Sequence, residues 1–340
     1  MIGTGERAYA YAKACGILGK SFIGRRAGAL NNISRLSELD RLIFPETSRD
    51  LPEKELLKDL EKRIINRAVE SIQMVVNSYK NPPEFLVLLI RGWEFENLKN
   101  ALTAISGNET EKPTFVSLER FGTIDFSAWP DLDRMLKGTE FEYLLKMTDK
   151  GAIILQTELD RHYYDSLWKA LCRLGRRDKK AAENILSEEI SLRNVVCSLR
   201  LRTYYQMEKN EVESHLINIK TVLHGRSVSL AADAISSLDF PLDNRQAWME
   251  WRRAQFLNSE NTTEAAGGWR VDPRYFQNAA ARYLYRLARH SFRSSPFSLD
   301  TIFCFIKIKQ FEEDILTSNA EGLGMGMTSR EVSGMIGAGS

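Results

Sequence analysis

The sequence predicts an almost entirely α-helical protein in which a pair of helices recurs three times. Three observations lead to this prediction. Apolar residues recur every three or four positions over three long stretches, which is the spacing of one helix face. Each stretch ends at a proline or glycine, and a further helical stretch follows it. Alternation typical of β-strands is missing, and residues 116–126 are the only ambiguous segment.

The first long helix is predicted over residues 52–80, with its partner helix beginning after Pro83. Pro52 suits a first helical turn, and prolines 82 and 83 end the run. Asp59 and Arg63 have the i,i+4 spacing of an ion pair on the solvated side. At 1.5 Å per residue this helix would be about 43 Å long. Its apolar face comprises Leu57, Leu60, Ile64, Ala68, Ile72, Val75 and Tyr79.

The same design returns twice along the chain. A second apolar stripe covers residues 155–174, ends near Gly175, and is followed by a helical stretch over residues 181–205. A third helix is predicted to begin at the Asp272-Pro273 cap and to end near Pro296, and residues 297–316 form its partner. We therefore expect three helix pairs.

Asn97, Asn194 and Asp314 occupy comparable places in the second helix of each pair. Their distances from the preceding helix breaker drift by a few residues, which indicates a diverged repeat rather than a strict array. We treat these three residues as repeat-frame positions. The predicted domains are residues 1–112, 113–210 and 211–340.

Connections are few and polar. The first inter-repeat connection is predicted over residues 106–129, and Asn258–Gly268 reads as a surface loop of undefined role. Residues 322–326 contain three glycines that should end a helix. Thr328 and Glu331 have the spacing of a capping box for a last short helix.

The composition limits the possible functions. The chain has 340 residues, of which 43% are hydrophobic, so it can bury a large core. Its 47 basic and 45 acidic residues leave a net charge of +2, which argues against a nucleic-acid partner. The four cysteines are widely spaced, which favours reduced thiols and a cytosolic setting. No apolar run is long enough to cross a bilayer, so membrane work would be peripheral.

No motif predicts a catalytic, metal or cofactor site. The glycine-rich run at residues 322–326 follows no strand and lacks the lysine of a phosphate loop. The four histidines do not show paired metal-ligand spacing. Two carboxylate groups could in principle hold magnesium as in an all-α prenyl-diphosphate enzyme, but solvated helix faces explain them more simply. These groups are Asp131 with Asp133, and residues 312–314.

The strongest local charge feature is a basic stripe on the third long helix. Arg282, Arg286, Arg289 and Arg293 follow helical spacing and share one face. One interpretation is contact with an acidic partner or anionic headgroups. The alternative is a solvated face, or ion pairs with Glu312 and Glu313 on the next helix.

Several short helical phrases resemble the C-type subunit of the V-type and archaeal A-type rotary ATPases, which is the d-type subunit of the eukaryotic enzymes. The resemblance begins with the run from Tyr9 to Lys20 and continues from Trp93 to Lys99. A second copy of that phrase runs from Arg193 to Arg200, and a third from Phe303 to Leu323. Asp314 stands where the family pattern leads us to expect asparagine, so the third copy departs from it. The resemblance covers essentially the whole chain.

This resemblance implies a funnel of three similar helical domains around a pseudo-threefold axis. Such a protein sits on the cytoplasmic face of the membrane, on the proteolipid ring, and receives the central-shaft subunits. It would transmit torque between ATP chemistry and proton or sodium transport, without a cofactor or catalytic residue of its own. Two other hypotheses stay open at this point. An unrelated helical scaffold would form an open superhelix, and an all-α enzyme would place acidic clusters around a deep pocket.

Overall fold

A computed structural model describes residues 3–147, 151–223, 225–257 and 269–336 of the chain. Three pairs of long helices dominate these residues, which confirms the all-α prediction. The pairs are α3 (Glu53–Val76) with α4 (Glu84–Ser106), α6 (Ala152–Cys172) with α7 (Arg176–Tyr204), and α11 (Pro273–Phe292) with α12 (Leu299–Gly324). The shorter helices are α1 (Thr4–Leu18), α2 (Leu36–Ile43), α5 (Leu132–Leu136), α8 (Lys209–Ser214), α9 (Ala232–Ser237), α10 (Arg245–Met249) and α13 (Ser329–Ile336).

The predicted helix starts agree with the observed capping bonds. The Asp272 carboxylate accepts a hydrogen bond from the Arg274 backbone N–H, which begins α11 with Pro273 in its first turn. Thr328 and Glu331 form the reciprocal bonds of a capping box ahead of α13. The helix α3 ends at Val76, earlier than predicted, so its 24 residues extend about 36 Å.

The connections contain one element that the sequence did not predict. Lys220–Leu223 (β1) and Arg226–Ser229 (β2) form an antiparallel hairpin in which Leu223 pairs with Arg226. The segment 116–126, which looked ambiguous, is not a strand and contains a single 3-10 turn at Glu119–Phe121. The hairpin strands have only four residues each, which is too short for alternation to be recognised in the sequence.

The six long helices pack in a closed cycle. Within it, α4 packs on α6, α7 packs on α11, and α12 packs back on α3, so the last pair contacts the first. Neighbouring helices run antiparallel. For example, Arg173 meets Glu84 near one end of the α4–α6 contact, and Gln156 meets Thr103 near the other.

This antiparallel order places the three turns within the pairs together. Turn 1 comprises residues 77–83, turn 2 residues 173–175 and turn 3 residues 293–298. We call the end of the molecule that they form the turn end, and the opposite end, which carries the long connections, the open end. The funnel and the boundaries of its three domains stay predictions.

The helix α12 lies at the centre of the packing and is buried on nearly all sides. It contacts α3, α7 and α11, and its residues contribute to two hydrophobic clusters. Its C-terminal turn holds α13 closely, because a Cβ at Gly322 would lie 2.2 Å from Cγ2 of Val332. The helix ends at Gly324, and Gly326 adopts a left-handed φ of 81° just beyond it, so the predicted glycine terminator is observed.

Among the described residues, no helix combines the length and the apolar character needed to cross a bilayer.

Candidate functional site

A charged cleft of about 280 Å³ lies where α4, α6, α7 and α12 meet. All three helix pairs contribute to it, so it marks the centre of the closed cycle. Trp93, Tyr163 and Tyr164 form the aromatic part of its wall. The charged residues that line it are Glu96, Lys99, Asp160, Glu189, Arg193, Lys307, Glu313 and Asp314.

Asp160 connects the first two helix pairs through two cations. Its carboxylate lies 2.6 Å from Nζ of Lys99 on α4 and 2.8 Å from a guanidinium nitrogen of Arg193 on α7. Lys99 also contacts Glu96 at 2.7 Å. Burial alone would raise the pKa of Asp160, but the attraction of Arg193 and Lys99 outweighs it and lowers that pKa. The carboxylate therefore stays ionised and holds both cations.

A second ion pair connects the second and third helix pairs. Lys307 on α12 lies 2.7 Å from the Glu189 carboxylate on α7. The hydroxyl of Tyr164 donates to the same carboxylate at 3.0 Å. We call the groups that join these helices the axial network: Glu96, Lys99, Asp160, Tyr164, Glu189, Arg193 and Lys307.

The other two carboxylates of the cleft have no cationic partner among the described residues. Burial, with a smaller effect of the neighbouring Asp314, raises the pKa of Glu313 to about 8. The pKa of Asp314 rises to about 6, mainly because the walls of the cleft surround its solvent-accessible carboxylate. The indole N–H of Trp93 lies 3.4 Å from Glu313. This part of the cleft can therefore take up protons near neutral pH.

The first two repeat-frame residues make the same paired hydrogen bonds. Asn97 donates to the carbonyl of Val116 at 2.8 Å and accepts from its N–H at 2.9 Å. Asn194 donates to the carbonyl of Ile217 at 2.9 Å and accepts from its N–H at 2.8 Å. Each asparagine thus holds the connection that leaves its own helix pair. These bonds satisfy backbone groups outside regular structure.

Asp314 makes no such bond among the described residues and instead faces the cleft. The neighbouring Glu312 reaches away from it, and its buried carboxylate accepts the backbone N–H of Phe22 at 2.6 Å. Lys309 contacts the same carboxylate. The third pair therefore holds the N-terminal segment of the chain, where the first two hold the segments that follow them.

The helix α1 ties the three turns together at the turn end. Its Glu6 carboxylate accepts the Lys80 backbone N–H at 2.9 Å in turn 1. Arg7 forms two hydrogen bonds, of 2.5 and 2.7 Å, with Asp178 beside turn 2. Arg7 also donates to the carbonyl of Phe297 in turn 3 at 3.3 Å. Asp178 in turn accepts the backbone N–H of Leu299, so α7 and α12 begin side by side.

The predicted arginine stripe lies on α11, away from the axial network. Arg282 is half-buried and takes part in interactions within the structure. Arg286, Arg289 and Arg293 are exposed, and no ion pair reaches them within the described ranges. Glu312 and Glu313 bond to other groups, so they do not neutralise these three exposed arginines. Arg289 also lies in the last turn of α11, where the helix dipole favours a positive charge.

The other candidates form no common centre. Across the described ranges, no group of three or more histidine, cysteine and acidic side chains could hold a metal ion. His162 pairs with Glu140 at 3.0 Å, and His215 lies 3.1 Å from the Thr157 hydroxyl. Asp131 caps the short helix α5. The Asn258–Gly268 loop lies outside the described residues.

Most of the axial network was not singled out from the sequence as a functional site. Lys99 and Asp160 are 61 residues apart, and Lys307 and Glu189 are 118 apart. The only local signal was that lysine and arginine stand inside otherwise apolar helix faces, as Lys307 does on α12. That pattern indicates a buried cation in need of a partner, but it does not identify the partner.

Comparison with known proteins adds a family to this geometry. The sequence profile of the family described as "ATP synthase (C/AC39) subunit" matches residues 46–334, a range that includes the whole axial network and all three frame positions. A protein of Treponema pallidum (strain Nichols) described as "Uncharacterized protein" is also similar. It is 26% identical over 318 residues, which cover 92% of this chain and 91% of that protein.

Proposed function

The chain belongs to the ATP synthase (C/AC39) subunit family, that of a V/A-type ATP synthase subunit, and we propose that it is the rotor socket of its complex. It would link the central shaft to the proteolipid ring at the cytoplasmic face of the membrane. In that position it would transmit torque for ATP-coupled proton or sodium transport. The chemistry of ATP would take place on other subunits, and this chain would supply mechanical coupling without a cofactor.

The observation that carries the proposal is the axial network inside a closed cycle of helix pairs. A part that transmits torque must resist shear between its own segments. Close-packed helices are stiff, and ion pairs shielded from water strengthen the contacts between them. The Lys99–Asp160–Arg193 contacts join the first two pairs, and the Lys307–Glu189 contact joins the second to the third.

The clefts around the axis suggest where the shaft would sit. The central cleft shares Trp93, Glu96 and Glu313 with a cleft of about 490 Å³ between α3 and α4. It shares Asp160 and Glu189 with one of about 390 Å³ among α6, α7 and α11. The walls of both outer clefts extend toward the open end. A narrow shaft tip could therefore enter from the open end and reach the centre.

Closure of the cycle argues against an unrelated scaffold. Repeat scaffolds stack each unit only on its neighbours and leave the first and last units apart. Here Leu57 at the start of α3 lies against Gly324 at the end of α12, so the first and third pairs are in contact.

Copurification tests the proposal. The full-length chain, tagged in its own organism, should bring down both shaft subunits and proteolipid. The double variant Glu313→Lys/Asp314→Lys puts two positive charges into the central cleft, and it should lose shaft subunits while it keeps proteolipid. A matched variant, Glu46→Lys/Asp50→Lys, makes the same change of charge at exposed positions ahead of α3 that line none of these three clefts, and it should keep both.

Recovery of a clean monomer by the wild-type chain would refute the socket role. Equal loss of shaft subunits from both variants would refute the placement of the shaft in the central cleft. Circular dichroism of the purified variants separates loss of binding from loss of folding.

A further inference from the structure

The turn end is far more basic than the rest of the molecule. Residues 79–84, 173–180 and 289–300 together contain eight lysines and arginines but three acidic residues. The whole chain has a net charge of only +2. Charge is therefore strongly polarised toward the end where the three turns meet.

Internal contacts already engage the acidic residues at this end. Glu84 pairs with Arg173 at 2.6 Å, and Asp178 pairs with Arg7. Asp300 accepts the backbone N–H groups of Ala181 and Ala182. The remaining cations are consequently not balanced by nearby carboxylates.

Six cations at the turn end are exposed and form no ion pair with any described residue. Every turn region contributes at least one of them. We call this set the turn-end cations: Lys80, Arg176, Arg177, Lys180, Arg289 and Arg293.

Turn 3 adds an exposed aromatic ring to this basic surface. Phe297 is 41% exposed and has a φ of 67°, which is an unfavourable backbone conformation for a bulky residue. Its ring packs edge-on against Tyr11 of α1, and Arg7 bonds its carbonyl. These contacts hold the ring at the turn end among the cations.

We propose that the turn end binds anionic phospholipid headgroups at the membrane surface. An acidic protein site would favour arginines held in fixed, partly buried, bidentate geometry. The turn-end cations are instead a mixture of lysine and arginine, exposed, unpaired and spread over three turns. Such a distribution suits the diffuse negative charge of a lipid surface, and Phe297 can enter the headgroup layer.

Vesicle sedimentation with the full-length chain tests this proposal. The chain should bind phosphatidylcholine vesicles that contain phosphatidylserine, and binding should weaken as salt screens the charges. The variant Lys80→Gln/Arg176→Gln/Arg293→Gln removes one cation from each turn region. It should lower the partition coefficient roughly 100-fold, as expected for about 1 kcal/mol per lost cation.

The matched control removes three exposed lysines from the open-end half of α3, as Lys54→Gln/Lys58→Gln/Lys62→Gln. It should bind like the wild type. The variant Phe297→Asn removes the ring but suits the left-handed backbone, and it should weaken binding several-fold.

Three results would overturn the proposal: equal binding to vesicles of phosphatidylcholine alone, equal loss in the control, or no vesicle binding by the wild type. If the wild type ignores vesicles but the turn-end variant releases the chain from its complex, the surface binds a protein instead. Vesicle binding does not require the shaft-and-ring role, so either proposal can fail without the other.

Discussion

The axial network makes a specific prediction about Lys307. The variant Lys307→Met keeps much of the aliphatic side chain of Lys307 but removes the charge that neutralises Glu189. The carboxylate would then keep only the hydroxyl of Tyr164 as a described partner besides solvent. We expect the folded state to be destabilised because a shielded carboxylate loses its counter-ion.

The structure sets the size of this effect. The side chains of Lys307 and Glu189 are 12% and 15% exposed, so the pair is shielded but not fully buried. Removing one partner of a buried pair costs about 3–5 kcal/mol, whereas exposed pairs contribute below about 1 kcal/mol. With Tyr164 still donating to Glu189, we expect a loss of about 2–3 kcal/mol in the free energy of unfolding.

Urea unfolding followed by circular dichroism provides the measurement, with the slope checked for two-state behaviour. The matched control is Lys179→Met, which removes an i,i+4 pair with Glu183 at 3.6 Å and should cost below about 0.5 kcal/mol. The double variant Glu189→Gln/Lys307→Met should recover at least about 1 kcal/mol relative to the sum of the single variants. A cost no larger than that of the control, or simple additivity, would refute a coupled network.

Three further predictions concern charge, pH and packing. Reversing the charges of the predicted arginine stripe (Arg282, Arg286, Arg289 and Arg293) should weaken assembly in copurification, and helicity should be unchanged in the free variant; a loss of helicity would mean that the stripe is structural. Because the folded-state pKa of Glu313 is raised from 4.5 to about 8, its ionisation destabilises the fold as pH rises through that window. Glu313→Gln should flatten the decline in melting temperature between these pH values, and an unchanged profile would contradict this assignment. Gly322→Ala should displace α13, cost about 1–3 kcal/mol and speed proteolysis of the C-terminus. Gly5→Ala, which has no neighbour within 4 Å, should be harmless.

The long helices were predictable because their signals are local. Apolar residues at spacings of three or four select a buried face, and prolines or capping side chains end each helix. Asp272 and Thr328 show this directly, since both make the capping bonds that their spacing predicts. The hairpin at residues 220–229 was missed because its two strands are too short to show alternation.

The candidate site was only partly predictable. Asn97 and Asn194 were recognised by their position in a repeat, and both hold the connection that follows their helix pair. Asp314 occupies the third position without making that bond, and Glu312 instead holds Phe22. A sequence pattern can place a side chain on a helix, but the direction in which it bonds depends on which segment packs beside it.

The sequence alone determined the helices, their ends and the absence of recognisable catalytic motifs, because these follow from contacts between residues close along the chain. Tertiary structure decided that α12 packs back on α3, that α1 ties the three turns together, and that Lys99, Asp160, Arg193 and Lys307 meet at one axis. The physical reason is that an ion pair depends on distances of a few ångströms between groups far apart in sequence. Local spacing shows that a charge lies on an apolar face, and only the packed structure shows which opposite charge neutralises it.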